Sequence, residues 1–164
     1  MTEILLHPIG LIHSPYTEAK GTPLQARAAK GSCGAVEVYE PFMAGLKDLE
    51  GFERIWLLYR FHQAPTAKLI VTTLLDNQAR GVFATRCPTR PNLIGMTPVK
   101  LIRIEGRVLH VEDIDILEGT PLFDIKPYFP LFDSFQTSRN GWLDSPEVAN
   151  RLEKGVVMDD RFSR

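Results

Sequence analysis

The chain has 164 residues, close to the usual size of one compact domain. Hydrophobic residues make up 44% and charged residues 24%, which excludes an intrinsically disordered chain. Apolar runs stay as short as Ile55-Trp56-Leu57-Leu58-Tyr59, so no membrane-spanning helix is expected. Nineteen Lys and Arg stand against 20 Asp and Glu, so the net charge of -1 exerts no long-range pull on nucleic acid. Met1 to Leu6 carries Glu3 and no basic stretch, so no secretory leader is expected. Cys33 and Cys87 are too few for a disulfide scaffold or a four-thiolate zinc site, and reduced thiols in the cytoplasm are expected.

In chain order, Ile4 to Ser14 reads as a first strand, interrupted at Pro8, which cannot donate to a ladder. Pro15 to Gly34 has no periodicity and reads as a long functional loop. Val36 to Tyr39 alternates like a half-buried strand. Pro41 then suits a first helical turn, with Phe42, Leu46 and Leu49 on one face and Gly51 as the stop. Arg54 to Gln63 is the strongest strand: Ile55, Leu57, Tyr59 and Phe61 face one way, Trp56, Leu58, Arg60 and His62 the other. Leu69 to Leu75 and Gly81 to Thr85 are further strand candidates. Val99 to Glu105 and Val108 to Val111 flank Glu105-Gly106-Arg107, a hairpin turn. Asp115 to Leu117 and Leu122 to Ile125 read as short strands. Ser145-Pro146-Glu147 starts a helix with a hydroxyl cap and an early acid, Val148 and Leu152 share a face, and Gly155 stops it. Val156 to Arg164 has no usable pattern. The expectation is one mostly β domain over residues 1–164, a small barrel with a few short helices, in which 129–164 is a C-terminal extension.

Several chemistries are missing. There is no phosphate-binding Gly-x-x-x-x-Gly-Lys loop, no Gly-x-Gly-x-x-Gly after a strand and no Gly-x-Ser-x-Gly elbow. His7, His13, His62 and His110 lack metal-ligand spacing, so no metal is expected. Charge is uneven: Arg80, Arg86, Arg90, Lys100, Arg103 and Arg107 precede an acidic stretch of Glu112, Asp113, Asp115, Glu118 and Asp124. Paired strands of opposite charge would explain this, as would a basic surface for phosphates beside an acidic pocket.

The segment Gly81-Val82-Phe83-Ala84-Thr85-Arg86-Cys87-Pro88-Thr89-Arg90-Pro91-Asn92-Leu93-Ile94-Gly95-Met96 places two arginines in a proline-stiffened loop. It resembles the signature of the TsaA-like (TrmO) family. Pro8 to Tyr16 is similar to that family's opening, Phe61-His62-Gln63 to its central strand end, and Asp115 to Pro121 with Asp124 to Tyr128 to its second signature. The resemblance implies a dimeric β-barrel that uses S-adenosylmethionine outside the Rossmann-like fold. It further implies methylation of N6 of threonylcarbamoyladenosine at position 37, beside the tRNA anticodon. Longer relatives carry an added C-terminal domain, so this chain is expected to be the short form.

The resemblance carries the cofactor site onto Pro23, Leu24, Gln25, His62, Gln63, Arg86, Met96 and Asp115-Ile116-Leu117-Glu118. These residue types suit the ligand: glutamines for adenine edges, Arg86 for a carboxylate, Asp115 or Glu118 for a ribose or ammonium. The acceptor amine must lose a proton, and Asp124, or second to it Asp115, is the candidate to take it. Arg90, Asn92, Lys126 and Tyr128 suit the anticodon loop, with Arg90 assigned to the threonylcarbamoyl carboxylate.

Three positions depart from the family pattern: Leu24 in place of Arg, Leu93 in place of Pro and Glu118 in place of Asp. The second is expected to free a backbone N–H and loosen the loop. Two other functions fit the same residues: a non-catalytic RNA-binding or regulatory barrel, and a methyltransferase acting on another acceptor.

Overall fold

The computed structural model describes residues 4–159. Among them, eight strands form: β1 Gly10–His13, β2 Cys33–Val38, β3 Arg54–Arg60, β4 Ile70–Thr72, β5 Ala79–Gly81, β6 Ile94–Glu105, β7 Val108–Glu112 and β8 Thr120–Pro127. Six of them close an antiparallel barrel in the order β1-β2-β7-β6-β3-β8, and β4 and β5 form a separate hairpin. Alternation in β3 decides what fills the barrel. Ile55, Leu57 and Tyr59 point inward and are buried, meeting Ile12, Val36, Val99, Leu109 and Leu122. Trp56 and Leu58 point outward, opposite Pro98 and Met96 of β6.

A bulge in the β3–β8 pairing redirects the second half of β8. Tyr59 pairs with Leu122 but Leu58 pairs with Asp124, so Phe123 is the extra residue. Leu122 and Ile125 therefore both pack on the core, and Asp124 shares the outer face with Leu58 and Met96.

Several expected elements differ. The first strand is shortened to β1, because residues 4–9 precede the regular ladder and Pro8 lacks a donor. The stretch after Pro41 is two short 3-10 turns, Glu40–Leu46 and Leu49–Gly51, parted by Asp48 at φ +65°; Phe42 stays exposed. Gly81 to Thr85 is a 3-10 turn over Val82–Ala84 rather than a strand. The Thr85 amide and hydroxyl both donate to the Val82 carbonyl, at 3.1 and 2.8 Å. Asp115 to Leu117 forms no ladder. β6 starts earlier than expected, at Ile94, and β8 runs longer, to Pro127.

The expected Glu105–Arg107 turn joins β6 to β7 with Gly106 at φ +61°, a conformation that favours glycine. Two α-helices follow the barrel, α1 Pro130–Asp133 and α2 Pro146–Glu153. In α2, Val148 is fully buried but Leu152 is 46% exposed, and Ser145 makes no side-chain cap bond; its carbonyl instead accepts from the Ala149 amide at 3.0 Å. Cys33 and Cys87 are free thiols.

Candidate active site

One end of the barrel opens into a cleft between the ends of β3 and β8 and the 113–119 loop. Tyr59 and Phe61 form its aromatic floor, packed edge to face with ring centroids 5.3 Å apart. Gly95 of β6 permits this, because a Cβ there would collide with the Tyr59 ring. Phe61 lies just past β3, and its amide donates to the Leu93 carbonyl at 2.8 Å, tying the floor to the signature loop. His62, Gln63, Asp115, Ile116 and Leu117 complete much of the wall.

Asp115 is the electrostatic centre of the cleft. Its Oδ1 is buried and has no hydrogen-bond partner. Burial pushes its carboxyl up to about 6, opposed by hydrogen bonding from Thr97 and by the Arg86 guanidinium. Thr97 is also 3.1 Å from the Tyr59 hydroxyl. Burial, followed by the Asp115 charge, raises the phenol further above its ordinary value. Arg86 is exposed at the rim, and its Nη1 donates to Gln25 Oε1 at 3.0 Å. Gln25 in turn donates through Nε2 to the Leu24 carbonyl at 2.8 Å. His62 Nδ1 lies 3.1 Å from the Thr120 hydroxyl, which donates to the Leu117 carbonyl at 2.7 Å.

The cleft therefore brings together His62, Gln63, Asp115, Ile116 and Leu117, with Gln25 and Arg86 coupled beside them. Pro23 is buried and Leu24 half-buried in the strand-like stretch leading to Gln25. Other candidates lie elsewhere in the single chain. Glu118 turns away: its Oε1 meets His13 Nδ1 at 2.8 Å and its Oε2 accepts from the Ser14 amide at 2.6 Å. Arg90 is spent on its own loop, donating through Nη1 to the carbonyls of Val82 at 3.3 Å and Thr85 at 2.8 Å. Met96 is half-exposed on the outer face of β6. Asp124 pairs with Lys126 at 2.7 Å and lines a different groove, with Ile9, Phe42 and Phe52. Tyr128 packs on Trp56 with centroids 5.6 Å apart, and Asn92 is exposed.

Leu93 does not loosen its loop. Its amide donates to the Arg90 carbonyl at 3.2 Å, and its φ of +52° is one that proline cannot adopt. Sequence reading overlooked Tyr59, Thr97, Thr120 and Met158. Threonines and a tyrosine at inward strand positions were the available signal for the first three. Met158 carried none.

Residues 11–134 match the tRNA-methyltransferase O N-terminal domain. The chain belongs to this TrmO family. A Pyrococcus abyssi protein named a probable S-adenosyl-L-methionine-binding protein is 49% identical over 97% of this chain and 85% of its own length. A human protein named tRNA (adenine(37)-N6)-methyltransferase is 35% identical over 81% of this chain, which covers 32% of that protein. A crystal structure of TrmO from Pseudomonas aeruginosa superposes with a TM-score of 0.73 at 38% identity, covering 87% of this chain and 64% of that one. The TrmO likeness thus extends through sequence and fold alike.

Proposed function

We propose that this chain is an S-adenosylmethionine-dependent methyltransferase acting on N6 of threonylcarbamoyladenosine at position 37 of tRNA. The observation that carries the reading is the orphaned Asp115 oxygen at an apolar cleft beside the Arg86–Gln25 pair. A buried unpaired carboxylate oxygen is costly, and a ligand N–H or O–H would relieve that cost. The residues present fit the cofactor: an apolar wall of Phe61, Ile116 and Leu117, one carboxylate oxygen of Asp115 lacking a donor, and the Arg86 guanidinium bonded to Gln25 beside it. Similarity to proteins named for S-adenosylmethionine binding and for tRNA adenine methylation supports it.

When bound, S-adenosylmethionine supplies an electrophilic methyl group on a sulfonium. The protein's part is orientation and proton management. Arg86 would hold the ligand's carboxylate, and Gln63, with Gln25, would read its adenine edge or its amino-acid end. Asp115 replaces Asp124 as the proton acceptor in this reading, since it is in the cleft and its carboxyl titrates near 6, suited to accepting a proton around neutral pH. Lys126, Tyr128, Asn92 and the outer basic residues are assigned to the anticodon loop. A homodimer belongs to the same reading: a second copy seated on the outer face of β6 would cover Ile94, Met96 and Ile102, each at least 39% exposed.

The test is nucleoside mass spectrometry of tRNA after incubation with the protein and S-adenosylmethionine. The methylated threonylcarbamoyl nucleoside is the expected product. Cofactor binding without any methylated tRNA product would favour a non-catalytic RNA-binding role, and methylation of tRNA lacking the threonylcarbamoyl group would redirect the substrate assignment.

A further inference from the structure

After α2 the chain turns back on the molecule. Gly155, at φ +76°, reverses it, and residues 156–158 run antiparallel to 21–24. The Leu24 amide donates to the Val156 carbonyl at 3.0 Å, the Met158 amide to the Thr22 carbonyl at 2.8 Å, and the Gly21 amide to the Met158 carbonyl at 2.9 Å. Val157 is 55% exposed, and by strand alternation Met158 faces the opposite way, into the cleft wall with Ala19, Tyr59 and Leu117.

This return is anchored along its approach. Val148 is fully buried. Arg151 donates to the Leu74 carbonyl at 2.8 Å, and Trp142 Nε1 to the Ala84 carbonyl at 2.8 Å, with the Arg80 guanidinium 4.4 Å from the Trp142 ring centre. Every one of these anchoring residues on the return lies beyond residue 134, where the family match ends. The strand-like stretch it braces leads directly into Gln25, the partner of Arg86.

We propose that residues 156–158 are a built-in wall of the binding cleft, with Met158 closing it against the bound methyl donor. This rests on the function proposed above. A thioether suits the position, being flexible, polarisable and favourable against aromatic surfaces. Met158 is a ligand-contacting residue here, while Val156 and the backbone bonds position the Thr22–Gln25 stretch.

Calorimetric titration of S-adenosylmethionine into the full chain and its Met158→Ala and Met158→Leu variants tests the contact. Met158→Ala should weaken binding about tenfold, the scale of one buried apolar side chain, and Met158→Leu should stay within about threefold of the parent. Tight binding by the parent with Met158→Ala within about twofold of it overturns the contact. Amide exchange tests the brace independently of the ligand. Met158→Pro, which lacks the amide bonded to Thr22, should speed exchange at Gly21 and Leu24 while leaving β3 and β6 protected. Unchanged exchange at both amides overturns the brace. A parent chain that binds no S-adenosylmethionine overturns the proposed function and the contact with it, whereas the exchange result still decides the brace.

Discussion

The Thr120 hydroxyl links His62 to the loop that precedes β8. It lies 3.1 Å from His62 Nδ1 and donates to the Leu117 carbonyl at 2.7 Å, so one side chain sets the imidazole against that loop. Thr120→Val keeps the shape and removes both bonds. It should destabilise the fold by about 1–3 kcal/mol in urea titration, because Thr120 is 2% exposed and its loss takes one hydrogen bond each from the Leu117 carbonyl and His62 Nδ1. It should also weaken cofactor binding, read by calorimetry.

Asp115 makes stability pH-dependent in a definite direction. Burial raises its folded carboxyl from 3.8 to about 6, so the folded state binds the proton more tightly than the unfolded chain does. Its contribution is fully present below the unfolded value and is lost as pH rises through about 6. Asp115→Asn should abolish that loss, stabilising the protein at neutral pH by on the order of 2–3 kcal/mol. Denaturation curves between pH 4 and pH 7.5 check this, with flattening expected in the variant; its methyl transfer should fall by about 10²-fold or more.

The two signature arginines should behave oppositely. Arg86→Ala removes a rim group bonded to Gln25, so stability should change by about 0.5 kcal/mol or less. The rise in melting temperature caused by S-adenosylmethionine should largely disappear. Arg90→Ala leaves the Val82 and Thr85 carbonyls without their guanidinium donor and should cost about 1–3 kcal/mol. Thermal melts of both variants with and without the cofactor separate these outcomes.

Leu93 is a test of backbone strain. At φ +52°, Leu93→Gly relieves the left-handed conformation but adds unfolded-state freedom, so stability should stay within about 1 kcal/mol of the parent. Leu93→Pro restores the residue of the family pattern yet cannot reach that φ or donate to Arg90 O. It should destabilise by about 3 kcal/mol, measured by chemical denaturation.

How far the residues alone reach is clear from particular cases. The inward set Ile55, Leu57 and Tyr59, the Gly106 turn and the α2 boundaries are local patterns, and each stands where the chain order suggests. The residues His62, Gln63 and Asp115 to Leu117 are singled out only through the family resemblance, and they share one cleft because the resembling segments sit at strand ends and loops that the barrel gathers.

What the sequence by itself determined is the alternation and turn chemistry of a small antiparallel barrel, since both act between near neighbours. Tertiary structure alone decided which way the contested side chains face. The Phe123 bulge sends Asp124 outward, His13 and the Ser14 amide capture Glu118, and carbonyls left by a 3-10 turn take up Arg90. It also brings Met158 back across the chain to the cleft. Each of these outcomes is a competition among partners distant in sequence or set by local backbone shape, settled only when the closed barrel fixes who is within hydrogen-bonding reach.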